Sequence, residues 1–379
     1  MYSVYFYGQM LAETPRLHAY VAALTETVTP DSVVLDLGCG PGYFALLAAQ
    51  LGARRVFAIE PDQVIQLARE AARANGLADR IEFFECFSTE VTLPEKATII
   101  VSDLRGVLPW YQQSLPSIID ARNRLLAPGG ILIPRRDVLW AAVVEAEDKF
   151  NKIVGPWEQP GLNLDSAKTA AVNTWRKEYL KPEQLLVAPA YWATLNYDEL
   201  EDLDCKAEIS WLVDRPGTAH GFSVWFDSEL VGDIRFSNHP KEPELIYGNG
   251  LFPFPHPVEM AKGDHVELQL SADFIRDDYV WRWNTTILDG ESRQIKANFK
   301  QSTLYHAPLS PTKLCKQAAT YRPSLNQKGQ IRSFILQSMT GDHSLEEIAS
   351  QVAARFPEKY SDWRDALTDV TTMSLEFSQ

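Results

Sequence analysis

The sequence predicts an α/β chain: a doubly wound parallel sheet, then an antiparallel β-barrel or sandwich, then a small helical domain. Three observations carry this. Strand-like and helix-like runs alternate from about residue 31 to 137, the pattern of a parallel sheet with helices on both faces. From about 138 to 300, short alternating runs divided by Pro, Gly and Asp clusters take over, as in antiparallel all-β domains. After about 301 helical periodicity returns, and the chain closes with SLEEIASQVAARF and SDWRDALTDVTTMSLEF. The expected domains are therefore residues 1–137, which include an amino-terminal helix, then 138–305 and 306–379.

Each element has its own warrant. VVLDL, residues 33–37, is short and β-branched, as a buried parallel strand is, and YFALLAAQLG after the glycines reads as a helix packed on that sheet. RRVFAIE is the second strand and DQVIQLAREAARANG the second helix, on which Val64, Leu67, Ala68 and Ala71 share a face and are expected in the core. RIEFFECF and ATIIVSD are the third and fourth strands; a helix around SLPSIIDARNRLL and the strand ILIP, after the turn APGG, complete the unit. In the second region VLWAAVV, AEISWLV, GFSVWF, HVELQL and YVWRWNTTI are the strands, and residues 155–180 form a helical or irregular excursion.

Bulk properties narrow the function. A chain of 379 residues exceeds the size at which one core usually stops growing. The formal charge of −14 argues against broad electrostatic capture of nucleic acid. No stretch approaches the roughly 18–20 uninterrupted apolar residues of a membrane span, and MYSVYFYGQM lacks the pattern of a secretory signal. A cytoplasmic protein with neither nucleic-acid nor membrane partner is expected. The four cysteines, at 39, 86, 205 and 315, form no CxxC or Cys/His cluster, so no disulfide framework and no metal site are expected.

The stretch VVLDLGCGPGYF, residues 33–44, carries the chemistry. A buried strand ends in Asp36 and LGCGPG, and the chain turns through Gly38, Gly40 and Gly42, whose freedom admits unusual backbone angles and close main-chain approach of a ligand. A dinucleotide fingerprint needs its third glycine three residues after the second, where Tyr43 stands, and GxxxxGK[ST] is absent. An Asp before GxGxG with an acid closing the next strand, here Glu60, is the pattern of S-adenosylmethionine sites; a nicotinamide cofactor is the weaker alternative. Glu60 would accept hydrogen bonds from the ribose hydroxyls. The plain alternative for Asp36 is a turn-capping carboxylate.

With these residues in hand, the chain resembles the protein arginine methyltransferases over roughly residues 5–300, that is, class I S-adenosylmethionine-dependent methyltransferases with a Rossmann-like domain. YGQMLAETPRLHAY, VVLDLGCGPGYFALLAAQLGARRVFAIE and ARNRLLAPGGILIP carry the likeness. It implies that Met10 and Arg16 contact the cofactor, Arg16 by a guanidinium able to hold a carboxylate bidentately. It also implies an acid after the third strand that recognises the adenine; in FSTEVTLP Thr89 stands at the aligned position and Glu90, immediately after it, is the expected acid, with Cys86 and Phe87 bordering the base and the 155–180 excursion a dimerisation arm of a homodimer.

The acceptor end departs from the family. The resemblance leads one to expect a loop with two glutamates that clamp a guanidinium; SDLRGVLPWYQQSL offers Asp103 and, for the second, Gln112. Arg105 adds a cation, expected to pair with Asp103. The family's Thr-His-Trp loop aligns with Leu245, Ile246 and Tyr247, so its histidine is missing while Tyr247 keeps an aromatic wall; His239 and His256 flank the segment. Asp103, Gln112 and Tyr247 are the candidate catalytic residues, Asp103 as orienting acceptor or general base. The expected acceptor is a peptide or protein side chain. A small-molecule nitrogen, oxygen or carbon nucleophile is the alternative, and a cofactor-binding scaffold with degraded chemistry is the third reading.

Residues 322–379 lie outside the resemblance. Leu345, Ile348, Val352 and Phe356 form one helical stripe, Trp363, Leu367 and Val370 another, and TGDHSLEEIA supplies a helix start. The segment is similar to small winged-helix domains of the PqqD type, which implies peptide binding by strand addition at a sheet edge.

Overall fold

The computed structural model describes residues 3–378. Two helices open the chain, α1 (Val4–Ala12) and α2 (Thr14–Thr27); Ser3 caps the first through its hydroxyl, and Pro15 sits in the first turn of the second, where its missing N–H costs nothing. There follow β1 (Val33–Leu37), α3 (Tyr43–Gln50), β2 (Arg55–Ile59), α4 (Ile65–Ala74), β3 (Ile81–Phe84), β4 (Ala97–Ser102), α5 (Ser114–Leu125) and β5 (Leu126–Ile133). The five strands form one parallel sheet in the order β3-β2-β1-β4-β5. Strand order reverses between β1 and β4, and a crevice opens beyond their carboxyl ends, as the geometry of open parallel sheets requires.

Two details differ from the sequence reading. The buried face of α4 is Ile65, Ala68 and Ala72, continuing from Val64, while Leu67 is exposed and Ala71 only half-buried. The stripe is turned by one residue because the helix packs through its alanines, which let it approach the sheet closely. Strand β5 begins at Leu126 and carries APGG within it, bulged against β4, so the expected turn is an irregular strand start.

The second region contains β6 (Arg136–Val144), α6 (Glu147–Val154), α7 (Asp165–Val172), β7 (Arg176–Glu178), β8 (Ala190–Asn196), β9 (Cys205–Leu212), β10 (Gly217–Val231), β11 (Ile234–Ser237), β12 (Asn249–Met260), β13 (His265–Ile275), β14 (Asp278–Leu288) and β15 (Ile295–Ser302). One antiparallel sheet runs β7-β12-β10-β6-β8, with β11 on β10, and the other β15-β14-β13-β9. Period-two patterning is literal in β13, where Val266, Leu268 and Leu270 are buried while Glu267 and Gln269 face water. Between the sheets lies an aromatic core that includes Trp192, Phe252, Trp281 and Trp283.

The excursion begins earlier than expected, at Glu147, because Glu147 and Asp148 favour a helix start. Phe150, Ile153, Val154, Ala171 and Val172 fasten α6 and α7 to Val144 and Leu251 of the barrel. Trp157 and Leu162, at the far end, are exposed.

The chain up to Pro308 is one compact unit, and a second runs from Leu309. The second holds α8 (Pro311–Gln317), which has no buried residue, and α9 (Gln327–Ser338), α10 (Leu345–Arg355) and α11 (Trp363–Phe377), packed around Ile331, Ile335, Ile348, Val352 and Val370. Ser344 and Glu347 form a capping box at the start of α10, worth about 1 kcal/mol. Among the described residues this unit has no strand. The winged-helix expectation is thereby corrected: the short link between α10 and α11 has no room for a hairpin, and a peptide strand has no sheet edge to join.

Candidate functional site

A cavity of about 530 Å³ occupies the crevice at the carboxyl ends of β1, β2 and β4. At one end the walls are mostly main chain. Gly38 and Gly40 have φ of +76° and +51°, and a Cβ would fall 2.2 Å from a Leu104 methyl at the first and 2.8 Å from the Tyr7 ring at the second. A larger residue at either position would be both strained and obstructed. Glu60, at the end of β2, is nearly buried and lines the cavity; one carboxylate oxygen accepts the Gly40 N–H and the other the Asp62 N–H, each at 3.0 Å. Burial raises its pKa, against the pull of these two N–H groups. The carboxylate is thus fixed in place with lone pairs to spare for a ligand's hydroxyls.

Asp36 does not line the cavity. It is 1% exposed, and its Oδ2 accepts the Ala45 N–H at 2.8 Å in the first turn of α3. Burial pushes its pKa up to about 7, with Glu60 adding repulsion. Asp36 shapes the glycine turn from behind, as the capping alternative holds. Cys86 and Phe87 do line the cavity, as does the buried Ser88. Glu90 does not: its carboxylate turns back to accept the Phe87 N–H at 2.9 Å and closes a short helical turn. That local bond, available because the acid lies three residues after the Phe87 N–H, engages one oxygen of Glu90 and leaves the other free.

The other end is built from side chains. Met10 and Arg16 line it from α1 and α2, Asp103 from the end of β4, and Tyr111, Gln112 and Gln113 from the loop that follows. Arg16 is 2% exposed; Nη1 donates to Asp103 Oδ2 and Nη2 to the Met10 carbonyl, both at 2.6 Å. Its Nε is buried without a hydrogen-bond partner, 3.7 Å from Glu13. Tyr247 donates its hydroxyl to Asp103 Oδ1 but stands behind it, outside the lining. Gln112 has φ of +43°, and its N–H is held by Asp278 at 3.2 Å. His239 and His256 pack edge-on against Trp225 and Phe299 and do not line the cavity.

Sequence reading missed four groups. Glu13 accepts the main-chain N–H of Ile246, so a backbone donor does what a histidine would do. Tyr20 donates to the Ser102 carbonyl at 3.0 Å, with Asp103 Oδ1 at 3.4 Å. Asp137, fully buried, is the partner of Arg105 at 2.7 Å, while Asp103 lies 3.8 Å from Arg105, so the expected Arg105–Asp103 pair is secondary. Tyr7 covers Gly40. Glu13 and Tyr20 sit in the quoted stretch YGQMLAETPRLHAY, three residues before and four after Arg16, a helical spacing that places them on the Arg16 side; nothing local marked Asp137.

Comparison with known proteins meets this geometry. Residues 34–130 match a model described as a methyltransferase domain, and residues 135–286 one described as the arginine methyltransferase oligomerization subdomain. The chain is protein arginine methyltransferase-like, with the class I methyltransferase fold. Among relatives, probable protein arginine N-methyltransferase 6 of Arabidopsis thaliana is 28% identical over 236 residues, covering 59% of this chain and 54% of that protein. Protein arginine N-methyltransferase PRMT10 of the same plant is 24% identical over 336 residues, covering 79% of this chain and 87% of the relative. This arginine methyltransferase-like chain thus spans little more than half the length of some curated relatives it matches. The crystal structure of the Arabidopsis enzyme 10 in an open conformation superposes with a TM-score of 0.70 at 22% identity, covering 79% of this chain and 97% of that one. The Trypanosoma brucei PRMT1 enzyme–prozyme heterotetrameric complex with AdoHcy does so with a TM-score of 0.72 at 21% identity, covering 78% and 96%. No helix among the described residues is long and apolar enough to cross a membrane.

Proposed function

We propose that the chain is an S-adenosylmethionine-dependent methyltransferase that modifies a peptide or protein side chain, with arginine the acceptor its relatives' names indicate. One observation carries the reading: a single cavity runs from the glycine loop and Glu60 to Asp103. S-adenosylmethionine would supply an electrophilic methyl group on a sulfonium. The residues fit it: Glu60 offers acceptors for ribose hydroxyls, Arg16 a cation at the cavity wall for a carboxylate, and Cys86, Phe87 and Ser88 a border for the base.

Asp103 faces the acceptor as the group that orients it and takes its proton, and Gln112 offers a neutral hydrogen bond beside it. Glu13, Asp103 and Asp137 against Arg16 and Arg105 leave one formal negative charge at this end, enough to offset one cationic acceptor. The residues that line the cavity belong to the stretch up to 137, and the barrel at 138–305 acts on the acceptor end from behind, through Tyr247 on Asp103 and the Ile246 N–H on Glu13. A homodimer assembled through the α6–α7 excursion, whose exposed Trp157 and Leu162 await a partner, completes the reading. A cytoplasmic location accords with four unpaired thiols.

A second reading keeps the donor and takes a small-molecule acceptor. The uncharged Gln112, and an Asp103 whose oxygens are already engaged by Arg16 and Tyr247, favour it. Labelled-methyl transfer to arginine peptides and to a metabolite extract separates the two. Label in peptide arginine alone supports the first reading, label only in small molecules replaces it with the second, and label in neither overturns both.

A further inference from the structure

We infer, on the methyltransferase reading above, that Arg105 is a positioning residue that anchors the acceptor loop to the barrel through Asp137 and sets, through Tyr20, the place of Asp103. The two side chains flank Leu104 at the end of β4; both border the cavity, and Arg105, almost fully buried, reaches on into the junction with the barrel. There Nη1 donates to Asp137 Oδ1 on β6 and to Ser228 Oγ on β10, both at 2.7 Å, and Nη2 donates to the Tyr20 hydroxyl on α2 at 3.3 Å. Tyr197, just after β8, donates to the second Asp137 oxygen at 2.7 Å. Phe226 and Phe236 stand 5.1 and 5.6 Å from the guanidinium carbon.

The Tyr20 hydroxyl has one proton. Because it accepts from Arg105, that proton is aimed at the Ser102 carbonyl and Asp103 Oδ1. A hydrogen-bonded line therefore runs from a barrel strand to the acceptor carboxylate. At the loop's far end Trp110, 2% exposed, stacks on Trp192 at 5.1 Å and meets Trp281 edge-on. Asp103 and Gln112, which both line the cavity, lie just outside these two pins in the chain.

Stability alone does not account for the arrangement, since a buried ion pair is often no better than apolar side chains of the same volume. What apolar packing lacks is direction. A planar fork fixes several donors at once, and the three acceptors it serves lie on three different elements.

The test uses the full chain carrying Arg105→Met, Asp137→Leu and Tyr197→Phe together, which replaces the polar cluster without leaving a buried unpaired charge. The expected result is S-adenosylhomocysteine affinity within about threefold of the parent, acceptor KM within about threefold, and kcat lower by about 30- to 100-fold. Amide exchange over residues 103–113 rises about tenfold while that of β1 is unchanged. Arg105→Lys, which keeps the charge and loses the fork, gives a loss of about fivefold in kcat. Parental kcat and parental exchange in the triple variant overturn the inference. If that variant does not fold, parental kcat and exchange in Arg105→Lys do so. A parent chain that transfers no methyl group overturns the methyltransferase reading instead, and loop exchange still decides whether Arg105 positions the loop.

Discussion

The two ends of the cavity are made differently. The donor end centres on one continuous piece of chain, β1 through Glu60, with Cys86, Phe87 and Ser88 beside it, and its geometry comes from glycine turns and main-chain N–H groups. The acceptor end gathers Glu13, Arg16, Tyr20, Asp103, Arg105, Asp137 and Tyr247 from separate elements and balances their charges against one another. A main-chain site tolerates drift around it, whereas a site of mutually neutralising side chains changes its chemistry when one member changes. The family-like donor end and the altered acceptor end, with Gln112 where a second carboxylate is expected, follow that distinction.

The largest effect that would break the comparison is at Asp103. Asp103→Asn keeps the shape and removes the charge, so kcat should fall by about 10³-fold or more with S-adenosylhomocysteine affinity within about fivefold. A matching loss of donor affinity would show that the ends are not separable.

Glu60→Ala should do the reverse, weakening S-adenosylhomocysteine by about 10- to 100-fold in a calorimetric titration while kcat at saturating donor changes by less than about threefold.

Gln112→Glu sharpens the acceptor end. With a second carboxylate restored, KM for an arginine peptide should fall about fivefold in steady-state assays if a cation is the acceptor. No gain would favour the small-molecule reading.

Sequence legibility divides along the same line. The glycine turn, Glu60 and the order of the parallel strands are local or periodic features, and single stretches of sequence encode them. Asp36 was legible both as a cofactor contact and as a turn cap, and what favours the cap is the Asp36–Ala45 bond, which forms only once α3 is set on the sheet. Glu90 was legible by its position after β3, but its capping bond to Phe87 was not foreseen. Asp137 was invisible: its partners Arg105, Tyr197 and Ser228 are distant in sequence and meet only when the barrel packs on the loop. The carboxyl-terminal helices were readable from their stripes, but no stripe reveals whether a strand stands between them.

The smallest expected effect is a stability test of the donor end. The pKa of Asp36 rises on folding from 3.8 to about 7, so between these values the folded chain keeps a proton that the unfolded chain has lost. This contribution is full below the unfolded value and is lost as pH rises through the folded one, at about 1.4 kcal/mol per pH unit at most. Asp36→Asn should flatten the denaturation free energy against pH in that window, and an unchanged slope would place the proton elsewhere.

The most direct test of the account is a crystal structure of the chain with S-adenosylhomocysteine. The prediction is a nucleoside whose ribose hydroxyls meet the Glu60 carboxylate and whose sulfur faces Asp103 across the open end of the cavity. A nucleoside seated anywhere else, or a Glu60 carboxylate pointing away from the sugar, would contradict it.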